Sequence, residues 1–286
     1  MNKLDYCFHS HTSRCGHAYG EDEEYVKSAI QGHFKMMGYS DHAMLPHFEQ
    51  PGMRGSYSLF PNYVSSVREI AKKYEGKIIV RLGMEAEWYG DLYKEYYTSL
   101  LERGILDYLI LGQHNFIHNG VGYFYSDLRD EEDSLNRYEH DVIEGMESGL
   151  FLYFAHPDHY MIWYHDWNDR AIEVANHIIA KAKELGLPLE ANMGPSRWRS
   201  NGFGEDGEMK VPYPDPRFWD LVSKAGVPVT IGVDAHAPSD YLTSDFSWVM
   251  GFIKRHNLHL LTGEEVLARL DSSKAINTQK PQKSVK

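Results

Sequence analysis

The chain predicts an α/β fold in which seven parallel strands close into one barrel, and three observations carry that expectation. Apolar, strand-like runs alternate with amphipathic, helix-like ones along the sequence. No composition break divides the 286 residues into two units. Each strand candidate delivers a polar or ionisable residue at its C-terminal end. Alternating strands and helices build βα units and a parallel sheet, and in a parallel barrel those strand ends converge on the face that carries the chemistry. A doubly wound open sheet is the alternative, but no Gly-rich dinucleotide or Walker loop follows the first strand.

The first strand, Leu4–His9, runs out in "FHSHT", so it delivers His9 and His11, with His17 in the loop beyond. Residues two apart on a strand share a face, which lets His9 and His11 grip one ion and turns Cys7 and Asp5 toward the interior below. A helix over Asp22–Gly32 leads to the second strand, Lys35–Ser40, which ends in Asp41-His42. Residues 44–61, "MLPHFEQPGMRGSYSLFP", form a long Gly-, Pro- and aromatic-rich loop of the kind that often carries function. After a helix at Asn62–Tyr74, the third strand, Ile78–Met84, ends at Glu85 in "LGMEAEW". A helix at Leu92–Arg103 precedes the fourth strand, Tyr108–Leu111, which delivers His114. A helix at Glu132–Ser148 precedes the fifth, Leu150–Ala155, which delivers His156. A helix at Asp169–Leu185 precedes the sixth, Pro188–Ala191, with Glu190 and Asn192 at its end. A helix at Asp215–Ala225 precedes the seventh, Val227–Val233, ended by Asp234 and His236. Helices over Tyr241–His256 and Gly263–Leu270 complete a single domain, 1–271. The Ser-, Gln- and Lys-containing stretch 272–286 reads as a flexible tail.

Composition narrows the function classes. A hydrophobic content of 42% supplies a substantial core, and a formal net charge of −12 argues against nucleic acid or an anionic membrane as the main partner. The opening "MNKLDYCFHS" has no apolar signal region, and no apolar run is long enough to span a bilayer. Two cysteines, Cys7 and Cys15, make no disulfide framework and point to a reducing cytoplasm. The unusual number is 16 histidines.

Imidazole and carboxylate together suit Zn²⁺, Mn²⁺ or Fe²⁺ rather than the all-oxygen cages of Ca²⁺ and Mg²⁺. Seven histidines and two acids exceed the roughly four ligands of one tetrahedral ion, so two or three ions are expected, with a carboxylate such as Glu85 bridging. A lone HxH pair, an Asp-His cap or a His-Pro turn is weak evidence taken singly; their placement at successive strand ends is what points to metal. Cys15 reads as a spectator thiol. His33, His47, His118, His140, His159, His165, His177, His256 and His259 read as surface or packing residues, with His47 of the long loop the one closest to function.

In order and spacing, "HSHT…H…SDH…GMEAE…QHN…HPD…GVDAH" resembles the polymerase and histidinol phosphatase (PHP) superfamily, and within it the histidinol-phosphatase branch. The resemblance, from residue 9 to residue 236, implies a distorted (β/α)7 TIM-like barrel with three divalent transition-metal ions. Carried over motif by motif, His9, His11, Glu85 and Asp234 would hold the first ion. Glu85 would bridge to a second held by His114 and His156, and His17, His42 and His236 would hold the third. Two departures bear on substrate choice: "PDHYMIWYHDW" after His156 has no basic residue where that branch often has one, and the 44–61 loop looks enlarged.

The implied activity is hydrolysis of a small phosphate monoester, L-histidinol phosphate first among them, with zinc the first choice of metal and manganese or iron the others. Paired ions lower the pKa of water and neutralise phosphoryl oxygens. Three such ions against Glu85 and Asp234 leave the pocket near +4 in formal charge, enough to draw an anion into an acidic protein. Glu85, Asp234 and His236 are the catalytic candidates, with Asp234 or a nearby histidine relaying a proton to the leaving alcohol. Arg197 and Arg199, with Arg54 behind them, are the candidates for gripping phosphate. The rivals are a phosphatase for another phosphorylated metabolite and an amidohydrolase-like enzyme, although no strand-end lysine is present to serve as the bridge such enzymes often use. A nuclease module is disfavoured by the acidic surface, and a non-catalytic metal-binding scaffold by the full ligand set. Oligomeric state is not legible.

Overall fold

A computed structural model describes residues 4–128, 130–198, 202, 204 and 208–278 of the chain. In chain order the elements are β1 (Tyr6–Cys7), α1 (Asp22–Gln31), β2 (Met36–Tyr39), α2 (Phe60–Lys73), β3 (Ile79–Ala86), α3 (Asp91–Glu102), β4 (Tyr108–Leu111), β5 (Asn115–His118) and β6 (Val121–Phe124). There follow α4 (Glu131–Glu147), α5 (Asp169–Leu185), β7 (Leu189–Asn192), α6 (Gly194–Trp198), α7 (Pro216–Ala225), β8 (Pro228–Gly232), α8 (Asp240–Thr243), α9 (Phe246–Arg255), β9 (His259–Leu260) and α10 (Gly263–Thr278). The helices begin where sequence chemistry allows. Asp130, Asn168 and Asp215 accept bonds from otherwise unpaired amides at the starts of α4, α5 and α7. Gly186 and Gly226 end α5 and α7 in the left-handed conformation.

The strands are parallel in two groups, β1-β2-β3-β4 and β7-β8-β9, with β5 and β6 an antiparallel pair apart from both. The expected fifth strand, Leu150–Ala155, is not a regular one. It survives as isolated parallel bridges from Phe154 to Leu111 and to Leu189. Its amides and carbonyls still pair both ways: Leu152 N donates to Leu109 O (2.8 Å), Ala155 N to Leu111 O (2.8 Å), and Phe154 N to Pro188 O (3.0 Å). A further bridge links Ser10 to Ala235, beyond the ends of β1 and β8, with His11 N donating to Ala235 O at 2.9 Å. Two strand residues and a bridge are all that β1 contributes, because the chain bends at the histidines to reach the site.

Other expectations shift in detail. The single helix predicted over 241–256 is two, α8 and α9, broken where the Asp245 carboxylate caps Trp248 N at 2.9 Å. The last helix runs on to Thr278, and residues 279–286 lie outside the described residues. Asp5 does not face the interior; it pairs with Lys35 at 2.8 Å, part-exposed. Cys7 does, with its Sγ 3.3 Å from Val233 N.

Tyr108 ties the interior together. Its buried hydroxyl lies 2.8 Å from Phe8 O and 3.0 Å from Tyr39 O, so one proton serves carbonyls at the ends of β1 and β2. Tyr108→Phe removes that donor and leaves two buried carbonyls short of a partner, at a cost of about 1–2 kcal/mol. Thermal unfolding should register this as a fall in Tm of a few degrees; an unchanged Tm would mean that the tyrosine serves by shape alone.

Candidate metal centre

The strand ends converge. His9 and His11 follow β1, His42 follows β2, Glu85 is the second-to-last residue of β3, His114 follows β4, His156 follows the Phe154 bridge, and Asp234 and His236 follow β8. Eight of the nine expected ligands line one cavity of about 480 Å³: His11, His17, His42, Glu85, His114, His156, Asp234 and His236. His9 lies beneath it, fully buried. Two of these positions are held in unusual backbone: Asp234 and His156 have φ of 54° and 35°. Non-glycine residues seldom tolerate the left-handed region, and its cost is accepted where it aims a functional side chain.

Glu85 is the hub. Its Oε1 lies 2.7 Å from His156 Nε2 and 3.5 Å from His114 Nε2. Its Oε2 lies 3.2 Å from His42 Nδ1 and 3.5 Å from the Nε2 atoms of both His9 and His11. Asp234 Oδ1 is 3.0 Å from His11 Nε2 and 3.5 Å from His9 Nε2. Its backbone carbonyl lies 3.0 Å from His236 Nδ1.

The candidate ligand atoms fall into overlapping groups, each within 4.8 Å: His9–His11–Asp234, His9–Glu85–His156, His11–His42–His236, His42–Glu87–His114 and His11–Cys15–Asp41, the last bringing in the thiol read as a spectator. These groups differ in part from the expected division. His11 joins His42 and His236, while the His17 ring stands 4.8 Å from that of His236 and 5.3 Å from that of His42. The fit to cations is direct. Glu85 Oε2 and His42 Nδ1 are buried with no hydrogen-bond partner, although they lie among other ligand atoms, and a buried polar atom left unpaired is costly unless something binds there. The donor set, imidazole with carboxylate, is that of divalent transition metals.

Space for Glu85 is made by Gly112 on the neighbouring strand end, where a Cβ would fall 2.1 Å from Oε1. Gly232 does the same for Glu190, whose carboxylate would lie 2.2 Å from an added Cβ. Glu190 in turn receives His9 Nδ1 at 2.9 Å, and Glu87 lies 3.2 Å from His114 Nδ1. Asp41 Oδ1 stands 3.6 Å from His11 Nδ1. Carboxylates behind imidazoles fix the tautomer and aim the other nitrogen forward. Their roles were not assigned from sequence, because strand-end acids do not declare their partners.

Charge is balanced within the cluster. Burial opposes the proton on His9, yet Glu190, Asp234 and Glu85 hold its pKa well above the ordinary value. Burial likewise opposes His11, but Asp234 and Asp41 raise it to about 9. Burial and the neighbouring His11 push His42 well below its usual value and His236 down to about 3. Burial works against the charge on Glu85, but His114, His9 and His42 keep its pKa well below the usual carboxylate range.

The three arginine candidates part company. Arg197, in α6, lines the cavity; its Nη2 donates to Asp234 O (2.7 Å) and its Nη1 to Ser244 Oγ (3.1 Å). Arg54 is buried and committed elsewhere: it donates to both oxygens of Glu87, at 3.0 and 2.8 Å, and does not line the cavity. Arg199 lies outside the described residues. His159, read from sequence as a surface or packing residue, instead lines the cavity with its Nδ1 unpaired, its ring 5.1 Å from those of His114 and His156. Its i+3 spacing from His156 was the available signal. His47 is absent from the cavity wall. Cys15 is buried, its thiol pushed up to about 12 chiefly by that burial.

The PHP domain family model matches residues 8–194. A Deinococcus radiodurans protein named "Probable histidinol-phosphatase" is 26% identical over 81% of this chain and 86% of its own. A histidinol-phosphatase of Lactococcus lactis subsp. lactis is 25% identical over 62% of this chain and 64% of its own. The structure of a histidinol phosphate phosphatase from Lactococcus lactis, complexed with Zn, L-histidinol and phosphate, superposes with a TM-score of 0.63 at 17% identity, covering 91% of this chain and 95% of that one.

Two outcomes follow from the geometry. Gly112→Ala should displace the Glu85 carboxylate and weaken Zn²⁺ uptake by roughly tenfold or more, with circular dichroism unchanged; wild-type uptake would remove Glu85 from the hub. His9 and His11 bind a proton more tightly folded than unfolded. Their contribution to stability is therefore complete below the ordinary 6.5 and is lost as pH rises through about 9 for His11. Metal-stripped protein should lose Tm across that window, and Zn²⁺, which replaces the protons, should flatten the loss.

Proposed function

The chain belongs to the PHP domain family, and from that premise we propose that it is a metal-dependent phosphoric monoester hydrolase that cleaves L-histidinol phosphate to L-histidinol and phosphate. The observation that carries the reading is the gathering of ligand side chains from successive strand ends around a single cavity with an arginine on its wall. The relatives named histidinol-phosphatase support the substrate.

On this reading His9, His11, His17, His42, Glu85, His114, His156, Asp234 and His236 hold three divalent ions, zinc first, with manganese or iron as alternatives. When bound, such ions lower the pKa of water and neutralise phosphoryl oxygens. The bridges through Phe154 and between Ser10 and Ala235 support a distorted seven-stranded barrel, which would present these side chains on one face. Glu85 spans the cluster, and Asp234 and His236 stand at the rim where a proton can pass to the leaving alcohol. Arg197 would meet the phosphate with the N–H groups left over from its bonds to Asp234 O and Ser244 Oγ, or by turning its guanidinium away from them. We assign the protein to the cytoplasm and to small-molecule chemistry, without a nucleic-acid or membrane partner. No helix among the described residues is long and apolar enough to cross a membrane.

A second reading, a PHP phosphatase for a different phosphorylated metabolite, draws on one observation. Among the described residues Arg197 is the only arginine or lysine on the cavity wall, and the chain after His156 places His159 there instead. The test is phosphate release from L-histidinol phosphate beside a panel of phosphorylated metabolites, amides and lactones, with metal-replete and chelated protein. Turnover confined to L-histidinol phosphate and abolished by chelation is the expected result. Preference for another phosphate ester selects the second reading, and preference for an amide or lactone rejects both. Charged hydrogen bonds contribute about 1.5–3 kcal/mol, so Arg197→Ala should lower kcat/KM on the order of 10- to 150-fold. Its metal content should be unaltered, because arginine is not a ligand.

A further inference from the structure

One side chain of the 44–61 loop reaches the layer directly behind the candidate metal ligands. Arg54 carries a full set of partners in a buried setting. Its Nε donates to Gln50 Oε1 at 3.1 Å, its Nη1 to Ala43 O at 3.1 Å and Glu87 Oε2 at 3.0 Å, and its Nη2 to Glu87 Oε1 at 2.8 Å and Tyr89 Oη at 3.1 Å. Glu87 Oε1 is also the atom facing His114 Nδ1 at 3.2 Å, and it accepts a bond from Asn115 Nδ2 at 3.2 Å. The opposite nitrogen of the same imidazole, His114 Nε2, lies 3.5 Å from Glu85 Oε1. A continuous chain of contacts thus runs from the loop, through a carboxylate, to a histidine of the metal cluster.

We propose that Arg54 is a positioning residue for the metal centre: its fork sets the plane of the Glu87 carboxylate, and Glu87 in turn fixes the ring of His114 so that Nε2 faces the metal. The reasoning is geometric. A metal-bound imidazole must present an unprotonated nitrogen forward, and a carboxylate that accepts Nδ1–H enforces that tautomer and holds the ring angle. A carboxylate buried this deeply has two alternatives to that task, to swing onto the ions as a ligand or to take a proton. A bidentate guanidinium occupies both oxygens and closes the first route. Lysine, a point charge without the fork, satisfies only part of this requirement.

The same side chain anchors the loop. Met53, its neighbour in sequence, lines the cavity, and the guanidinium also packs 5.6 Å from the centre of the Phe48 ring. Tyr96 Oη and Tyr93 Oη, from α3, hold Met44 O and Pro46 O at 2.9 and 3.0 Å, so the loop is seated at its start independently of Arg54. The proposal rests on the reading of the cluster as a metal centre, and it predicts that seating the loop and filling the site are linked.

The test reads metal uptake, which needs no substrate. Full-length protein is stripped of metal and titrated with Zn²⁺ against a competing chelator, as wild type, Arg54→Met, Arg54→Lys, Glu87→Gln and the double variant Arg54→Met/Glu87→Gln. Arg54→Met should raise the Zn²⁺ concentration needed to fill the weakest-held equivalent by about 10- to 100-fold, and Arg54→Lys should recover part of that loss. Because Arg54 acts through Glu87, adding Arg54→Met to the Glu87→Gln background should cost little more, the non-additivity expected of groups in one network. The double variant also avoids leaving one buried charge unpaired, so it reports even where Arg54→Met alone folds poorly. Unchanged Zn²⁺ midpoints in folded Arg54 variants, whatever their Tm, would overturn the proposal. Equal effects of Arg54→Met in both backgrounds would overturn it as well. Wild-type protein that takes up no Zn²⁺ would instead remove the metal centre itself, a separate failure.

Discussion

The structure is organised around one carboxylate. Glu85 sits with one oxygen toward His114 and His156 and the other toward His9, His11 and His42. A buried anion ringed by imidazoles is tolerable only where positive charge compensates it. Protons on His9 and His11 can supply that charge, and so can cations held among the same atoms. The surrounding fold answers to this requirement. Gly112 is side-chain-free where the carboxylate must pass, and Asp234 and His156 accept left-handed backbone in order to face it. The last residues of β1 leave the sheet early because two histidines must reach the same point.

Around this centre the protein places a ring of acids that do not face the cavity in the same way. Glu190 backs His9, Glu87 backs His114, and Asp41 stands behind His11. Each comes from a different strand end, so the orientation of one histidine depends on the placement of another strand, next to it for Glu87 and Asp41 and one strand further off for Glu190. This is why a parallel sheet suits such a site: adjacent strand ends are rigidly spaced and side chains on one of them lean over the next. The irregular fifth segment fits the same logic. It bonds alternately to β4 and β7, keeps Phe154 buried between them, and then turns at His156 before a regular ladder can form.

Much of this was legible in the sequence, because strand-end position converts one-dimensional spacing into three-dimensional convergence. Period and length located β2, β3, β4, β7 and β8 and the long helices, and the polar residue after each apolar run named the atoms that now lie within a few ångströms of Glu85. The losses have physical causes. The β5–β6 hairpin was missed although Asn119-Gly120, both at positive φ, is a strong two-residue turn signal; its flanking residues are too mixed in polarity to read as strands. The break between α8 and α9 hides in Ser244-Asp245, a cap inside an otherwise helical pattern. Arg54 was expected at the phosphate and is found behind the candidate ligand His114, held by Glu87, because Glu87 lies 33 positions away in sequence and no local pattern records that pairing. His159 was passed over because a 3₁₀ turn over His159–Ile162, rather than a helix or strand, aims it inward.

These misses separate two kinds of information. The candidate ligand cluster is dictated by short-range rules, one or two residues per strand end. The walls of the cavity are set by pieces that obey no period: the 44–61 loop with Met53, the turn bearing His159, α6 with Arg197, and Tyr19, which stands largely exposed at the mouth. On the proposed function, those pieces would meet whatever part of the substrate lies beyond the phosphate. With a single arginine and no lysine on the described wall, the organic portion of the proposed substrate would meet aromatic, thioether and imidazole groups, namely Tyr19, Tyr213, Met53 and His159, beside the Asp240 carboxylate. Such surfaces favour a flat or weakly polar ring over a second anionic group, and that preference is chemically consistent with an imidazole-bearing leaving alcohol. The metals would then set the reaction, and the irregular wall would set the substrate.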